Sequence, residues 1–215
     1  MNFIEELKWR NLFKDCTDEA ALIERLKTPI TLYCGYDPTA DSLHIGHLQQ
    51  LILLKRYQLQ GHHPIALVGG GTGMIGDPRP TSERSLLSDD DVTRNAAALE
   101  KQIAFILRQE TNEIRFENNA NWLKKLDLIT FLRDYGKYFS INTMIAKDTI
   151  ASRLQTGISF TEFSYTILQA IDWLELFERY QCEVQIGGSD QWGNLVSGSD
   201  LIRKIKGPEI KVFGI

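Results

Sequence analysis

The sequence predicts an α/β fold with a mostly parallel, doubly wound sheet. Short apolar segments at residues 30–35, 63–68 and 182–186 alternate with longer segments of helical periodicity. Continuous apolar character of this kind is typical of strands that are covered on both faces. Each segment ends in glycine or is followed directly by it, and ligands bind at the carboxyl ends of parallel strands. We therefore expect the three glycine-containing turns to meet at one crevice.

The remaining elements follow from periodicity, caps and breakers. Thr17 or Asp18 can cap a first helix, and Asp89–Asp91 place negative charge at the start of a long one. The predicted helices cover residues 20–27, 48–59, 89–109, 127–139, 141–154, 162–180 and 199–206. Further strands are predicted at residues 113–117 and 212–213.

Composition excludes several classes of protein. The chain has 215 residues, 43% hydrophobic and 24% charged, with a net charge of -4, which is typical of a globular protein without a strongly basic surface. Its three cysteines form no CxxC pair, which favours a reducing compartment and argues against a zinc site. The acidic amino-terminal segment does not resemble a signal peptide, and no apolar run has the length of a membrane span. The expected location is the cytoplasm.

The first strand-to-helix turn carries the clearest chemistry. It contains Gly35, which is expected to let the chain turn, and Gly46, which leaves space for a flat group at the start of a helix. His44 and His47 lie three residues apart and can share one face of the first helical turn. Together with the helix amides they would favour a polyphosphate, although two polar surface histidines or metal ligands are alternatives. No lysine follows Gly73, so a phosphate-binding loop of the Walker type is not indicated.

Four segments in order resemble a known family. They contain the sequences YCGYDPTADSLHIGH, GMIGDP, FTEFSY and QIGGSDQWGN. The first is similar to the signature of class I aminoacyl-tRNA synthetases, and the set resembles the bacterial tyrosyl-tRNA synthetases over essentially the whole chain. The resemblance implies a Rossmann-like catalytic domain with a helical insertion at about residues 110–156. It also implies activation of L-tyrosine with ATP and transfer to tRNA(Tyr).

The resemblance assigns one set of residues to tyrosine. Tyr33 and Asp172 should hydrogen-bond the phenolic hydroxyl, and both would be left without a partner if phenylalanine entered. Rejection of phenylalanine is a known property of this family. Tyr165, Gln169 and Asp77 should hold the α-ammonium group, and Asn119 should order the network around tyrosine. Taken alone, residues 165, 169 and 172 could be the polar face of an amphipathic helix.

A second set is assigned to ATP and to the reaction. The ATP-binding residues implied are Cys34, Gly35, Asp37, His44, Gly46, His47, Gly188 and Asp190. The residues implied to act on the reacting groups are Thr39, His44, His47, Arg84 and Gln191. The tyrosine carboxylate is already an anion, so no general base is required and catalysis must come from positioning and from stabilising phosphate charge. Mg²⁺ is expected to accompany ATP, with no metal held by the protein alone.

The chain departs from the family pattern at two places. Residues 79–82 read RPTS, without the lysine that relatives usually carry there. The second signature, a lysine-bearing loop, and the anticodon-binding domain are expected beyond residue 215, so the chain is interpreted as a truncated catalytic domain. The alternatives are a tryptophan-activating enzyme of the same fold and a tyrosine-binding fragment without turnover. A homodimer through the insertion is also expected, and Phe160 is assigned either to that contact or to the core.

Overall fold

The computed structural model describes residues 2–78, 86–108 and 112–215 and contains one five-stranded parallel sheet. The strands are β1 (Thr31–Tyr36), β2 (His63–Val68), β3 (Arg115–Asn118), β4 (Cys182–Ile186) and β5 (Phe213–Gly214). Their order is β3-β2-β1-β4-β5, so β1 is central. The predicted α/β, Rossmann-like parallel sheet is confirmed.

Helices connect these strands and cover both faces of the sheet. They are α1 (Phe3–Trp9), α2 (Glu19–Arg25), α3 (Ile45–Leu59), α4 (Asp89–Leu107), α5 (Ala120–Leu123), α6 (Leu128–Thr130), α7 (Ile141–Ile145), α8 (Asp148–Ala151), α9 (Phe160–Tyr180) and α10 (Trp192–Lys206). One core cluster contains buried residues of α3 and α4, and a second contains buried residues of α9 and α10. Each cluster packs on strand residues, which is the doubly wound arrangement that continuous apolar strands require.

The first strand differs from its prediction at its carboxyl end. β1 continues through Gly35 to Tyr36, which is buried, so Gly35 lies inside the strand and the expectation that it makes the turn was wrong. No described atom lies within 4 Å of the place where a Cβ of Gly35 would be. The glycine therefore leaves an open space above the central strand.

The helical insertion is less regular than predicted. Residues 115–118 of the predicted range form β3 in the sheet, and the helical part follows that strand. In place of two long helices, the structure has α6, a π-helix at Phe131–Tyr135, a 3₁₀-helix at Gly136–Tyr138, α7 and α8. Leu128, Ile129 and Leu132 are exposed, so the apolar residues in the predicted helix at 127–139 do not form a face that is buried in the core.

Candidate active site

A cleft of about 1130 Å³ opens at the carboxyl ends of β1, β2 and β4. It is lined by fifteen of the seventeen residues that the sequence assigned to the site: Tyr33, Cys34, Gly35, Asp37, His44, Gly46, His47, Asp77, Asn119, Tyr165, Gln169, Asp172, Gly188, Asp190 and Gln191. Thr39 is exposed and lies outside the lining formed by residues 2–78, 86–108 and 112–215. Arg84, together with residues 79–82, falls outside the described residues. The predicted convergence of the glycine-containing turns is confirmed by this lining.

The deep end of the cleft contains a buried carboxyl group. Asp172 lies on the inner face of α9 and is 2% exposed. Its Oδ1 accepts a hydrogen bond of 2.7 Å from Trp122 Nε1, and its Oδ2 accepts one of 2.9 Å from Asn119 Nδ2. Burial raises the pKa of Asp172 to about 8, against the opposing effect of these two N–H donors. Both oxygens accept, so the surroundings are built for a carboxylate.

Tyr33 on β1 completes this end of the cleft. Its side chain is 1% exposed, and its hydroxyl has no hydrogen-bond partner among the described residues. Burial, followed by the charge of Asp172, raises the pKa of the phenol well above its ordinary value. A buried hydroxyl without a partner is costly unless a ligand supplies one. The pair therefore offers a carboxylate acceptor and a hydroxyl to a polar group that enters the cleft.

Asn119 connects the carboxyl group to the turns that follow β1 and β2. Its Oδ1 accepts from the backbone N–H of Gly71 at 2.7 Å, and its Nδ2 donates at 2.9 Å to Thr72 Oγ1 as well as to Asp172. Thr72 Oγ1 then donates to Asp37 Oδ1 at 2.8 Å. Tyr165 donates to the other oxygen of Asp37 at 2.9 Å. Asp37 thus belongs to the same network as Asp172 and Asn119, although the resemblance assigned it to ATP.

A second network surrounds Asp77. Gln191 Nε2 donates to Asp77 Oδ2 at 2.7 Å, and Asn194 Nδ2 lies 3.4 Å from Asp77 Oδ1. Gln191 Oε1 accepts from Asn194 at 3.1 Å and from Gln169 at 3.3 Å. Gln169 Oε1 is buried and has no partner among the described residues. Together with Asp37 and Tyr165, these groups give this part of the cleft negative charge and acceptors, which suit a bound ammonium group.

The two histidines stand at the start of α3 and cap it. His44 Nδ1 accepts from the N–H of Gly46 at 3.2 Å, and His47 Nδ1 accepts from the N–H of His44 at 3.3 Å. Their rings stack with centroids 3.7 Å apart, so the predicted common face is confirmed. Burial and the neighbouring His44 lower the pKa of His47 to about 4, so its ring is neutral at pH 7. Because Nδ1 accepts in both rings, Nε2 carries the ring proton and is left as a donor.

The open end of the cleft, here called its mouth, is lined mainly by glycines and by exposed side chains. A Cβ at Gly46 would lie 3.1 Å from Cε1 of His44, and a Cβ at Gly188 would collide with the carboxylate of Asp190. Asp190 is exposed, and its Oδ2 accepts from Gln191 at 3.3 Å. Cys34 is buried, with Sγ 3.6 Å from Gln50 Oε1. This end is shaped by backbone and by groups that can turn toward a ligand.

Several contributing residues were not found from the sequence. Trp122 and Thr72 hold the carboxylates, and Asn194 and Lys147 extend the network around Asp77. For Trp122 a signal existed, because a buried indole N–H must find an acceptor. The other three are single polar residues whose roles depend on which elements pack together.

Residues 25–214 match the family described as tRNA synthetases class I (W and Y). The chain therefore belongs to this class I aminoacyl-tRNA synthetase family. It is 52% identical to tyrosine--tRNA ligase 1 of Enterococcus faecalis (strain ATCC 700802 / V583), over 100% of this chain and 52% of that protein. It is 55% identical to the tyrosine--tRNA ligase of Bifidobacterium longum (strain NCC 2705), over 98% of this chain and 49% of that protein. The chain spans about half the length of the curated relatives that it matches.

Solved structures give the same family. A C-terminally truncated mitochondrial tyrosyl-tRNA synthetase of Aspergillus nidulans superposes with a TM-score of 0.86 at 32% identity, covering 100% of this chain and 68% of that one. The tyrosyl-tRNA synthetase of Archaeoglobus fulgidus, solved with L-tyrosine, has a TM-score of 0.74 at 16% identity over 94% of this chain and 59% of that one, which shows a common fold.

The described residues contain neither a candidate membrane span nor a metal-binding cluster. None of their helices is both long and apolar enough to cross a membrane. Within the same residues, no group of three or more His, Cys, Asp or Glu side chains is placed to hold a metal ion.

Proposed function

We propose that this chain is the tyrosine-activating part of a tyrosine–tRNA ligase. The observation that carries the proposal is the pair at the deep end of the cleft, the buried Asp172 carboxyl and the unpartnered hydroxyl of Tyr33. A phenol can donate a hydrogen bond to the Asp172 carboxyl. It can also donate to, or accept from, the hydroxyl of Tyr33. A phenylalanine ring would leave both buried groups without that partner, and an indole ring carries its N–H at a different position.

The substrate's other end would meet the networks of Asp37 and Asp77. An α-ammonium group has three donors, and Tyr165, Gln169 and Asp77 present acceptors in this part of the cleft. Gln191 lies beside Asp77 and is the group we assign to the carboxylate. Anchoring at the phenol and at the ammonium group would fix the direction in which the carboxylate points.

The proposed reaction forms a bond between a carboxylate oxygen of tyrosine and the α-phosphorus of ATP. The bond from that phosphorus to the bridging oxygen breaks, and pyrophosphate leaves with the electron pair. No proton has to be removed from the nucleophile, which is why the cleft needs no base next to it. The products are tyrosyl-adenylate and pyrophosphate, and a longer protein would then transfer the tyrosyl group to tRNA(Tyr).

The mouth of the cleft is assigned to ATP. The Nε2–H donors of His44 and His47 and the amides at the start of α3 suit phosphate oxygens or ribose. The carboxylate of Asp190 suits the two ribose hydroxyls. Gly35 leaves open space for the base. Gly46 and Cys34 line the same part of the cleft. Thr39 and Arg84 stay predictions for the departing phosphates, and Mg²⁺ would enter as part of the ATP substrate.

Calorimetric titration with L-tyrosine, L-phenylalanine and L-tryptophan tests the proposal. Tyrosine should bind at least a hundredfold more tightly than either competitor, since each competitor leaves buried polar groups without a hydrogen-bond partner. Preference for tryptophan would overturn the assignment in favour of the related enzyme. Exchange of labelled pyrophosphate into ATP, with tyrosine and Mg²⁺ present, then separates an activating domain from one that only binds tyrosine.

We further propose that the whole protein works in the cytoplasm as a homodimer through the helical insertion. Large apolar side chains are exposed along and beside it: Leu128, Ile129, Leu132, Ile141, Leu154 and Phe160. Phe160 is 70% exposed, so assigning it to the core was wrong. Light scattering of the unchanged chain and of a Leu128→Asp, Ile129→Asp double variant tests this proposal. A monomer in both would contradict it.

A further inference from the structure

Lys147 reaches from the insertion into the wall of the cleft. It lies between α7 and α8, and its Nζ donates at 2.6 Å to Thr166 Oγ1 on α9 and at 3.0 Å to Ser197 Oγ on α10. Its stem lies along the first turn of α10, where a Cβ at Gly193 would be 3.4 Å from Lys147 Cδ. Three separate parts of the chain therefore meet at one partly buried cation.

The hydrogen bonds that start at this cation have a fixed direction. A protonated lysine only donates, so Thr166 Oγ1 accepts from it and its own proton is given to Asn194 Oδ1, 2.9 Å away. This turns the Nδ2 of Asn194 toward Asp77 Oδ1 and Gln191 Oε1. The amide group of Gln191 is oriented in turn, with its Nε2 on Asp77 Oδ2.

The charge of Lys147 also acts on Asp77 through space. Burial lowers the pKa of Lys147 to about 8, and the carboxylate of Asp77 works against that lowering. The attraction is mutual, so the cation favours the ionised form of Asp77. The carboxylate of Asp77 is thus aligned by donors from Gln191 and Asn194 and lies in the field of the Lys147 cation.

We propose that Lys147 is a positioning residue for the α-ammonium end of the amino acid, acting through Thr166 and Asn194 on Asp77. The proposal rests on the function proposed above. A positioning role for Lys147 differs from a purely structural role, because it affects binding of the ammonium end of the substrate and leaves binding of the phenol end unchanged. The phenol end is held by Tyr33, Asp172 and Asn119, whose hydrogen bonds do not include this relay.

The test uses two ligands that differ by one group. Tyramine has the phenol and an ammonium group, and 4-ethylphenol has the phenol alone. Their affinities for the chain and for a Lys147→Met variant are measured by competition against L-tyrosine. Tyramine and L-tyrosine should bind the variant about tenfold more weakly, because hydrogen bonds to charged groups are lost. The affinity of 4-ethylphenol should stay within about twofold.

Two further variants test the relay and the charge of Lys147 separately. Thr166→Val breaks the relay while leaving Lys147 in place, so it should show the same selective loss even if Lys147→Met does not fold. Lys147→Arg keeps the charge and donors and should lose less than the methionine variant. Lys101→Met, at an exposed position of α4, is the matched control and should change nothing.

Equal weakening of tyramine and 4-ethylphenol would overturn the proposal in favour of a general structural role. No weakening of tyramine in either Lys147→Met or Thr166→Val would overturn it as well. Failure of the proposed function would be visible in the unchanged chain, which would then bind neither L-tyrosine nor tyramine, and both proposals would fall together.

Discussion

The two ends of the cleft are built in different ways. At the deep end, Asp172 and Asn119 are almost fully buried and are connected to other side chains by hydrogen bonds of 2.7 to 2.9 Å. At the mouth, His44, Gly46 and Asp190 are exposed, and the histidines bond mainly to their own helix. The deep end is arranged before a ligand arrives, whereas the mouth supplies donors and space that a ligand must organise. Selection among amino acids should therefore depend on the first region and nucleotide chemistry on the second.

The largest effect should come from removing the buried carboxyl group. Asp172→Ala should weaken L-tyrosine binding by about a hundredfold or more, because the phenol loses its acceptor and Trp122 and Asn119 lose theirs. The affinity for ATP, measured by calorimetry without tyrosine, should change little. Glu178→Ala, at an exposed position of the same helix, is the matched control. Loss of ATP affinity equal to the loss for tyrosine would show that the two ends are not separate.

The pH dependence of tyrosine binding should report the same group. Because burial raises the pKa of Asp172 to about 8, the empty site carries a proton below that pH, and the ionised form above it is the stronger acceptor for a phenol. The association constant of L-tyrosine should therefore rise with pH, by up to about tenfold per pH unit, and level off near pH 8.

One other group in the cleft, Lys147, has its pKa lowered to about 8 by burial, so the pH profile is measured in the Lys147→Met variant as well. The ammonium and phenol groups of tyrosine keep their protons between pH 6 and 8. His47 has its pKa lowered to about 4 and does not titrate in that interval. Calorimetry in buffers of different ionisation enthalpy measures the protons released, and a flat profile with no release would contradict the assignment.

Removal of Asn119 should have an intermediate effect at both ends of its network. Asn119→Ala leaves the N–H of Gly71 and one oxygen of Asp172 without their partner, so the free energy of unfolding should fall by about 1–3 kcal/mol. Tyrosine affinity should fall by about tenfold, as the carboxyl group is no longer held in place. Asn121→Ala, at an exposed neighbouring position, should leave both quantities unchanged. Chemical denaturation and calorimetry measure the two effects.

The smallest effect on tyrosine is expected at the mouth. Gly35 has no described atom within 4 Å of its would-be Cβ and does not have a positive φ, so Gly35→Ala should change stability by no more than about 0.5 kcal/mol. Tyrosine affinity should also be unchanged. The added methyl group occupies space assigned to ATP, so pyrophosphate exchange should slow. An exchange rate equal to that of the unchanged chain would place the nucleotide elsewhere.

The sequence predicted secondary structure correctly where the local apolar pattern agrees with the way the segment packs in the fold. The segments 63–68 and 182–186 are β2 and β4, since each is a short apolar run between breakers. It failed for the first turns of α10, where Gly193, Ser197 and Gly198 have low helix propensity. Packing against α9 overrides that propensity: a Cβ at Gly198 would lie 2.7 Å from Cε3 of Trp173, so glycine is what allows the close approach.

The site shows the same division. The resemblance found groups assigned to ligand, such as Tyr33 and Asp172, because these positions match the family along the chain. It did not single out Lys147, nor Asn194 at the end of the QIGGSDQWGN segment, because their importance comes from the direction of hydrogen bonds between separate helices. Those directions depend on three-dimensional placement of single polar atoms, which no local pattern of the chain encodes.

The central position of β1 has a consequence for how the chain folds. β1 pairs locally with β2, but Thr31 also pairs with Cys182, so the sheet must bring together segments that are distant in sequence. Such pairings close long loops and are slow to form. The deep pocket takes Tyr33 from β1, Asn119 from the end of β3 and Asp172 from α9, so no early fragment contains it. On a ribosome it can be complete only after α9 has emerged, so tyrosine would bind no shorter nascent chain.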